Sequence, residues 1–199
     1  MKTEIIISGF GGQGVLSMGK ILAYSGLMED KEVTWMPAYG PEQRGGTANV
    51  TVIVSDSRIS SPILSHYDVA IVLNQPSLDK FEPKIKPGGI LIYDGYGVMN
   101  PPQRKDITIY RIDAMDKAAE MKNSKVFNMI VLGGPCCEHR WFEQGALQVI
   151  ARAPSWFDSA EHAGSGRGNE DYRKGRLNSI IIIDKGAGCV AMQFAPLFY

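Results

Sequence analysis

Short apolar runs alternate with segments of helical period along most of the chain. Residues 4–8 form a β-branched run that ends at a glycine, and residues 12–28 place apolar side chains near one face of a helix. Similar runs and periods follow as far as residue 132. The pattern predicts strands at 4–8, 33–36, 47–55, 68–73, 90–93 and 107–112, and helices at 12–28, 75–81, 114–121 and 126–132.

Strands that alternate with helices are typical of a parallel sheet covered by helices. We therefore predict an α/β fold of three layers, with a mainly parallel sheet and helices on both faces. No repeat and no low-complexity linker interrupts residues 1–134, which are predicted to form one domain. The composition changes from Pro135 onward, so residues 135–199 are treated as a separate tail.

The charge balance narrows the functional classes. The 199 residues include 21 Lys plus Arg and 21 Asp plus Glu, so the basic excess of most nucleic-acid-binding proteins is missing. Every apolar run is shorter than the roughly 18 residues of a membrane span, and the first residues lack the regions of a secretory signal. We expect a cytoplasmic protein that binds neither nucleic acid nor a membrane.

The cysteines and histidines do not form a recognisable metal or catalytic set. Cys136, Cys137 and Cys189 offer fewer thiolates than the four that hold most iron–sulfur clusters. His66 has no second base or ligand beside it in the sequence. We therefore expect no metal site and no catalytic residue on this chain.

A glycine turn joins the first predicted strand to the first predicted helix with the G-x-G-x-x-G spacing. In such a turn backbone N–H groups and the helix dipole favour an anion, but a tight turn without a ligand, or a contact with another protein, explains the glycines equally well. Within the helix itself alanine is favoured by up to about 1 kcal/mol, so Gly19→Ala is expected to be tolerated better than valine in the turn. The turn's candidate residues are Gly9, Gly11, Gly12, Gln13 and Gly14.

Binding of NAD requires more than this spacing. An acidic residue at the carboxyl end of the second strand normally holds the ribose hydroxyls. Here Glu29 and Asp30 precede the second predicted strand, which puts them at its opposite end. A stand-alone NAD- or FAD-dependent Rossmann reductase is therefore the weaker interpretation.

A second glycine-rich loop lies between the second and third predicted strands. In a parallel sheet this loop would emerge at the same edge as the glycine turn, where α/β proteins bind ligands. Asn74, Gln75 and Asp94 follow two further strands and are expected near it. The loop's candidates for contact with a cofactor or a partner subunit are Pro41, Glu42, Arg44, Gly45 and Gly46.

The two motifs together, SGFGGQGV followed by PAYGPEQRGG before a β-branched strand, resemble the gamma subunit of the 2-oxoacid:ferredoxin oxidoreductases. The resemblance covers residues 1–134. It implies a complex that converts a 2-oxoacid and coenzyme A to an acyl-CoA, carbon dioxide and reduced ferredoxin, with 2-oxoglutarate favoured over pyruvate and 2-oxoisovalerate. The complex acts as an oxidoreductase, to which this chain contributes no catalytic residues.

The resemblance also implies where the cofactors lie. Thiamine diphosphate with Mg and the iron–sulfur clusters belong to partner alpha, beta and ferredoxin-like delta subunits, and this chain holds none of them. Coenzyme A is the co-substrate and ferredoxin the acceptor. The glycine turn then contacts a partner subunit or the coenzyme that a partner holds, and the residues leave these two roles open. A binding module without an enzymatic context remains a third interpretation.

The tail has the character of an out-of-frame translation, although a genuine extension is the alternative. Codons for residues 152–162 can be chosen so that reading from their second base gives ERHHGLIPLN, which resembles a stretch near the carboxyl end of many gamma chains. The same shift gives MRIIEK from residue 169 and LAVNTGG from Pro135. We expect the tail to be aberrant and poorly ordered, and the chain to be less stable than an in-frame relative.

The nucleotide sequence of the gene tests this interpretation. We expect the frame that starts at the second base of these codons to stay open downstream of Pro135 and to encode the three stretches above. A stop codon in that frame shortly after Pro135 would show that the tail is a genuine extension.

Overall fold

The computed structural model describes residues 2–39, 46–123 and 126–139, together with two short strands at 179–183 and 192–196. The strands of the main body are β1 (Lys2–Phe10), β2 (Glu32–Tyr39), β3 (Thr47–Ser55), β4 (Tyr67–Val72), β5 (Ile85–Asp94) and β6 (Thr108–Ile112). The helices are α1 (Val15–Met28), α2 (Gln75–Phe81), α3 (Ala114–Glu120) and α4 (Phe127–His139), and a 3₁₀ turn at Glu82–Lys84 follows α2. Each element predicted from the sequence is present, and most bounds shift by at most three residues. The exceptions are β5, which begins at Ile85 rather than at residue 90, and α4, which runs to His139 rather than to residue 132.

The six strands form one sheet in the order β2-β3-β1-β4-β5-β6. The pairs β1–β4, β4–β5 and β5–β6 are parallel, whereas β3 runs antiparallel to both β1 and β2. The prediction of a mainly parallel sheet is confirmed, and β3 is the exception because it returns from β2 through a hairpin. Pro37 lies in β2 at the sheet edge, where a missing N–H is tolerated.

Helices cover both faces of the sheet, which confirms the three-layer prediction. α1, α3 and α4 pack on the face that carries Ile5, Ile7 and Ile71. α2 packs on the opposite face, against Ile6 and Ala70. Among the described residues, no helix combines the length and the apolar character needed to cross a membrane.

Most of the tail falls outside the described residues. α4 continues past Gly134 to His139. The strands β7 (Ser179–Ile183) and β8 (Met192–Pro196) form an antiparallel pair of their own. The out-of-frame interpretation of residues 135–199 therefore stays a prediction.

Gly19 corrects one expectation from the sequence. It is buried in α1 against the sheet, and a Cβ at this position would lie 2.6 Å from Val50 Cγ1 and 2.9 Å from Val50 Cγ2. Helix propensity favours alanine, but the close approach of the helix backbone to β3 leaves no room for a methyl group. Gly19→Ala is thus expected to destabilise the protein.

A charged network joins the amino ends of three parallel strands. The Lys86 ammonium lies 2.6 Å from Glu4 Oε2 and 2.7 Å from Asp68 Oδ1, and the Glu4 backbone N–H donates to Asp68 Oδ2 over 2.8 Å. Lys2 also pairs with Glu4. Burial raises the pKa of Glu4, but hydrogen bonds and attraction from Lys2 and Lys86 outweigh it, so the pKa lies below its usual value.

We expect Glu4→Gln to lower the free energy of unfolding at pH 7 by about 1–3 kcal/mol, since it removes charged hydrogen bonds from a nearly buried carboxylate. The folded-state pKa is lowered, so this contribution is fully present above the unfolded-state pKa and is lost as the pH falls through the folded-state pKa. Denaturant unfolding from pH 7 to pH 3 measures the difference. Glu120→Gln, at the exposed end of α3, is the control, and a pH-independent difference for Glu4→Gln would contradict the assignment.

Candidate functional site at the carboxyl edge of the sheet

The two glycine-rich motifs emerge at the same edge of the sheet. β1 and β2 run in the same direction because each is antiparallel to β3, and the register pairs Ala48 with both Gly9 and Tyr39. The Gly11 N–H donates to the Gly46 carbonyl over 2.9 Å. The turn after β1 and the end of the loop before β3 are therefore in direct contact.

The glycine turn is tight on its inner side. A Cβ at Gly9 would lie 3.0 Å from Leu73 Cβ and 2.6 Å from Gln13 Oε1. Gln13 closes the turn, because its Oε1 accepts from the Phe10 N–H over 2.6 Å and its own N–H donates to the Phe10 carbonyl over 3.2 Å. Gly9 and Gln13 thus have structural roles at this turn.

Two further glycines adopt positive φ. Gly12 has φ +96° and a Cβ there would meet no atom within 4 Å, whereas Gly14 has φ +76° and forms the N-cap of α1. Because this N-cap is a glycine, no side chain accepts a hydrogen bond from the N–H groups in the first turn of α1. The helix end therefore directs backbone N–H groups toward the edge, where an acceptor on a ligand or partner is favoured.

The second motif is described only in part. Gly46 is buried and bonded to Gly11. Pro41, Glu42, Arg44 and Gly45 lie outside the described residues, so their roles stay predictions.

The crevice between the β1 and β4 turns has the topology of a binding site. From β1 the chain passes over one face through α1 toward β2, and from β4 it passes over the other face through α2 toward β5. Neighbouring strands whose connections leave in opposite directions open a crevice at their carboxyl ends, which is where α/β folds bind ligands.

A polar network lines the α2 side of this crevice. Ser8 Oγ donates to Asn49 Oδ1 over 2.6 Å, so the Ser77 hydroxyl must be the donor in its 2.8 Å bond to Ser8. Asn74 caps α2 by accepting from the Ser77 N–H over 2.9 Å. Asn74 Nδ2 is buried without a partner. Asn74 was expected near this edge because it follows a predicted strand. The pairing of Ser8 with Asn49 depends on the antiparallel register of β1 and β3, which the sequence does not show.

Asn128 lies on the α1 side of the turn and was missed in the sequence. It belongs to the first turn of α4, is 6% exposed and packs against Gly14. A Cβ at Gly14 would meet Asn128 Nδ2 first, and it would lie 2.9 Å from Asn128 Cγ and 3.2 Å from Asn128 Cβ. Its Oδ1 is buried without a hydrogen-bond partner. The sequence signal was a single amide at the start of an otherwise apolar helix.

Asp94 is a structural residue of this edge. Its carboxylate accepts from the Gly97 N–H over 3.0 Å and from the Ala114 N–H over 3.1 Å, which ties β5 to the start of α3. Burial raises the pKa of Asp94, and the backbone hydrogen bonds offset this only in part, so the pKa lies above its usual value. Its oxygens are thus engaged within the fold.

The geometry does not favour binding of a dinucleotide. β2 ends at Tyr39, and Glu29 and Asp30 lie at the opposite end of that strand. The strand beside β1 on that side is the antiparallel β3, where a Rossmann fold has a parallel strand.

Within the described ranges, no three His, Cys, Asp or Glu side chains gather into a possible metal site. His66, the histidine considered in the sequence analysis, is exposed.

The contact between Gly14 and Asn128 generates a prediction. Gly14→Ala should destabilise the protein by about 2–4 kcal/mol, because it adds backbone strain to a clash with Asn128. Gly12→Ala should cost about 1–2 kcal/mol, since it adds strain in open space. Asn128→Ala should reduce the first cost and leave the second unchanged, as measured by denaturant unfolding of the single and double variants. Equal costs for Gly14→Ala in both backgrounds would contradict this contact.

Comparison with known proteins identifies the family. The sequence model of the family described as pyruvate ferredoxin/flavodoxin oxidoreductase matches residues 4–137. The ketoisovalerate oxidoreductase subunit VorA of Methanothermobacter marburgensis is 39% identical over 132 residues, which are 66% of this chain but 27% of VorA. The 2-oxoglutarate synthase subunit KorC of Methanocaldococcus jannaschii is 37% identical over 136 residues, which are 67% of this chain and 73% of KorC.

Solved structures agree with this match. The gamma subunit of a keto/oxoacid ferredoxin oxidoreductase from Geobacter sulfurreducens has a TM-score of 0.65 at 26% identity, over 75% of this chain and 85% of that subunit. A 2-oxoglutarate:ferredoxin oxidoreductase from Magnetococcus marinus, solved with 2-oxoglutarate, coenzyme A and succinyl-CoA, has a TM-score of 0.70 at 25% identity, over 79% of this chain and 27% of that chain. The chain spans about a quarter of the length of VorA. With its family model matched over residues 4–137, the chain belongs to the pyruvate ferredoxin/flavodoxin oxidoreductase family.

Proposed function

We propose that this chain is the gamma subunit of a multi-subunit 2-oxoacid:ferredoxin oxidoreductase. The complex oxidatively decarboxylates a 2-oxoacid with coenzyme A, which yields an acyl-CoA, carbon dioxide and reduced ferredoxin. The observation that carries the proposal is the contact between the two glycine-rich motifs, made by the Gly11 N–H and the Gly46 carbonyl. It joins the first motif to Gly46, the last residue of the second, and these are the two segments on which the resemblance to the gamma subunits rests.

The surface is suited to contact rather than to catalysis. Phe10 and Tyr39 are the last residues of β1 and β2, and Tyr96 and Met99 follow β5. These four side chains are 37%, 48%, 71% and 89% exposed. Exposed apolar side chains of this size favour burial against another protein. Thiamine diphosphate, Mg and the iron–sulfur clusters are accordingly proposed to reside on the alpha, beta and delta subunits, with ferredoxin as the acceptor of the complex.

Among substrates, 2-oxoglutarate is favoured. KorC, a subunit named for 2-oxoglutarate synthase, is matched over 73% of its length, whereas VorA is matched over 27%. The Magnetococcus relative was solved with 2-oxoglutarate and coenzyme A. The glycine turn would then meet a partner subunit or coenzyme A, through the N–H groups at the start of α1.

Co-expression with the thiamine-binding chains of the same source tests the function. We expect a stable complex that reduces ferredoxin with coenzyme A and turns over 2-oxoglutarate faster than pyruvate or 2-oxoisovalerate, while the chain alone shows no turnover. Tight flavin or nicotinamide on the isolated chain would instead support the reductase interpretation. Failure to bind any thiamine-containing chain, with no such cofactor, would leave a binding module.

Arg44→Ala tests the second loop. We expect weaker assembly or activity of the complex with a nearly unchanged melting temperature of the free chain, because Arg44 is a charged residue in a glycine-rich loop at the contact edge. Arg58→Ala, on an exposed residue beyond the opposite end of β3, is the control. A normal complex built from a clearly destabilised free chain would make Arg44 a structural residue.

A further inference from the structure

β2 forms an open edge of the sheet. It stands at the end of the strand order, and among the described strands none pairs with its outer side. Its register with β3 runs from Glu32 to Tyr39 without a bulge. Soluble proteins usually protect such an edge with charges, prolines, bulges or a short strand, and in β2 only Glu32 and Pro37, toward its two ends, act in this way. The main-chain groups between them are therefore available to another strand.

The opposite edge of the sheet is better protected. β6 has five residues, and one of them is Arg111, which is exposed and lies 3.0 Å from the carboxylate of Asp113. A short strand with an exposed charge resists pairing with another chain. The open edge at β2 is thus a property of that side of the molecule and not of both edges.

The helix above β2 is also apolar on that side. Lys20 Nζ lies 5.5 Å from the centroid of the Trp35 ring, so this side of α1 lies over β2. Tyr24 and Leu27 follow Lys20 at helical spacing on the same side, and both are exposed.

This side of α1 differs from an ordinary solvent-facing helix. Lys20 is the one charged side chain among the 14 residues of α1, whereas the solvent face of a helix usually carries several. The outer side of β2 and the side chains of Tyr24 and Leu27 together form the α1–β2 surface. Its apolar character favours burial against another protein.

The lengths of the relatives indicate what covers this surface. The matched region is 27% of VorA and 27% of the Magnetococcus chain, so most of each polypeptide lies outside this domain. The match covers 73% of KorC and 85% of the Geobacter gamma subunit, which therefore consist mostly of this domain. A domain that is fused to a larger body in some relatives and separate in others has that body as a permanent neighbour. Permanent interfaces are more apolar than transient ones, as the α1–β2 surface is.

We propose that the part of the complex that VorA carries beyond this domain docks on the α1–β2 surface. One of its extended segments adds to the sheet beside β2, and its apolar side chains cover Tyr24 and Leu27. In such strand addition, main-chain hydrogen bonds supply affinity and side-chain contacts supply specificity. The proposal rests on the proposed function and adds a second contact area to the carboxyl edge, with Tyr39 at the end of β2 common to both.

Leu27→Lys in the full chain is the first test, with Ile63→Lys, at an exposed site between β3 and β4, as the matched control. Lysine is a good helix former and suits the last turn of a helix, so both variants are expected to melt at the parental temperature. Each chain is titrated with the subunit that matches the remainder of VorA. We expect Leu27→Lys to bind about tenfold more weakly, since an ammonium must then be desolvated, and Ile63→Lys to bind like the parent.

Hydrogen exchange tests the added strand directly. Alternate residues of an edge strand direct their N–H groups outward, so in the free chain residues 33–36 contain amides that exchange rapidly. In the complex we expect these amides to exchange about tenfold more slowly. The amides of β6, at the other edge, serve as the internal control and are expected to be unchanged.

The proposal is overturned if Leu27→Lys binds like the parent, or if it melts well below the parent, since Leu27 then packs within the chain itself. Exchange in β2 that is equal in the free and bound chains, or already slow in the free chain, also overturns it. The same holds if light scattering shows a dimer of the free chain that Leu27→Lys dissociates, because a second copy then occupies the surface. Failure of the parental chain to bind any subunit rejects the proposed function together with this proposal, whereas normal parental binding with an unaffected variant rejects this proposal alone.

Discussion

The antiparallel course of β3 is the constraint on which the site depends. β3 lies between β1 and β2, so a register that pairs Ala48 with Gly9 and Tyr39 brings both carboxyl ends to one level. A slip of one residue would turn Val50 and Val52 away from the core under α1. The hydrophobic alternation that fills the core therefore also places Gly46 within reach of Gly11.

Local sequence patterns predicted the strands and helices of the fold and the meeting of the two glycine-rich motifs, but not the amide side chains that pack around them. Runs such as residues 68–73 identify strands because they are β-branched and bounded by turn residues, and these assignments are confirmed. The direction of β3 is a tertiary property that its own residues do not encode. The convergence of the two motifs was nevertheless predicted correctly, because β2 is parallel to β1 even though their common neighbour is not.

The failures of sequence reasoning share one cause, which is the distance between backbones. Gly19 has the propensity profile of a replaceable helical glycine, yet Val50 occupies the space of its missing side chain. Asn128 carries no motif, and its proximity to Gly14 arises from the docking of α4 beside α1. Close approaches between elements that are far apart in sequence leave no periodic signal, so only the structure reveals them.

The same spacing of glycines can support different chemistry according to what the sheet places beside it. In a dinucleotide fold the neighbouring strand is parallel and ends in an acid that reads the ribose. Here an antiparallel strand occupies that side, and the next strand ends at an exposed tyrosine. On the other side, amides of Asn74 and Asn128 replace charged groups, and each retains one unpaired polar atom. Buried atoms of this kind reduce stability, so at this edge the dinucleotide-like spacing stands beside neutral amides rather than beside a ribose-binding acid.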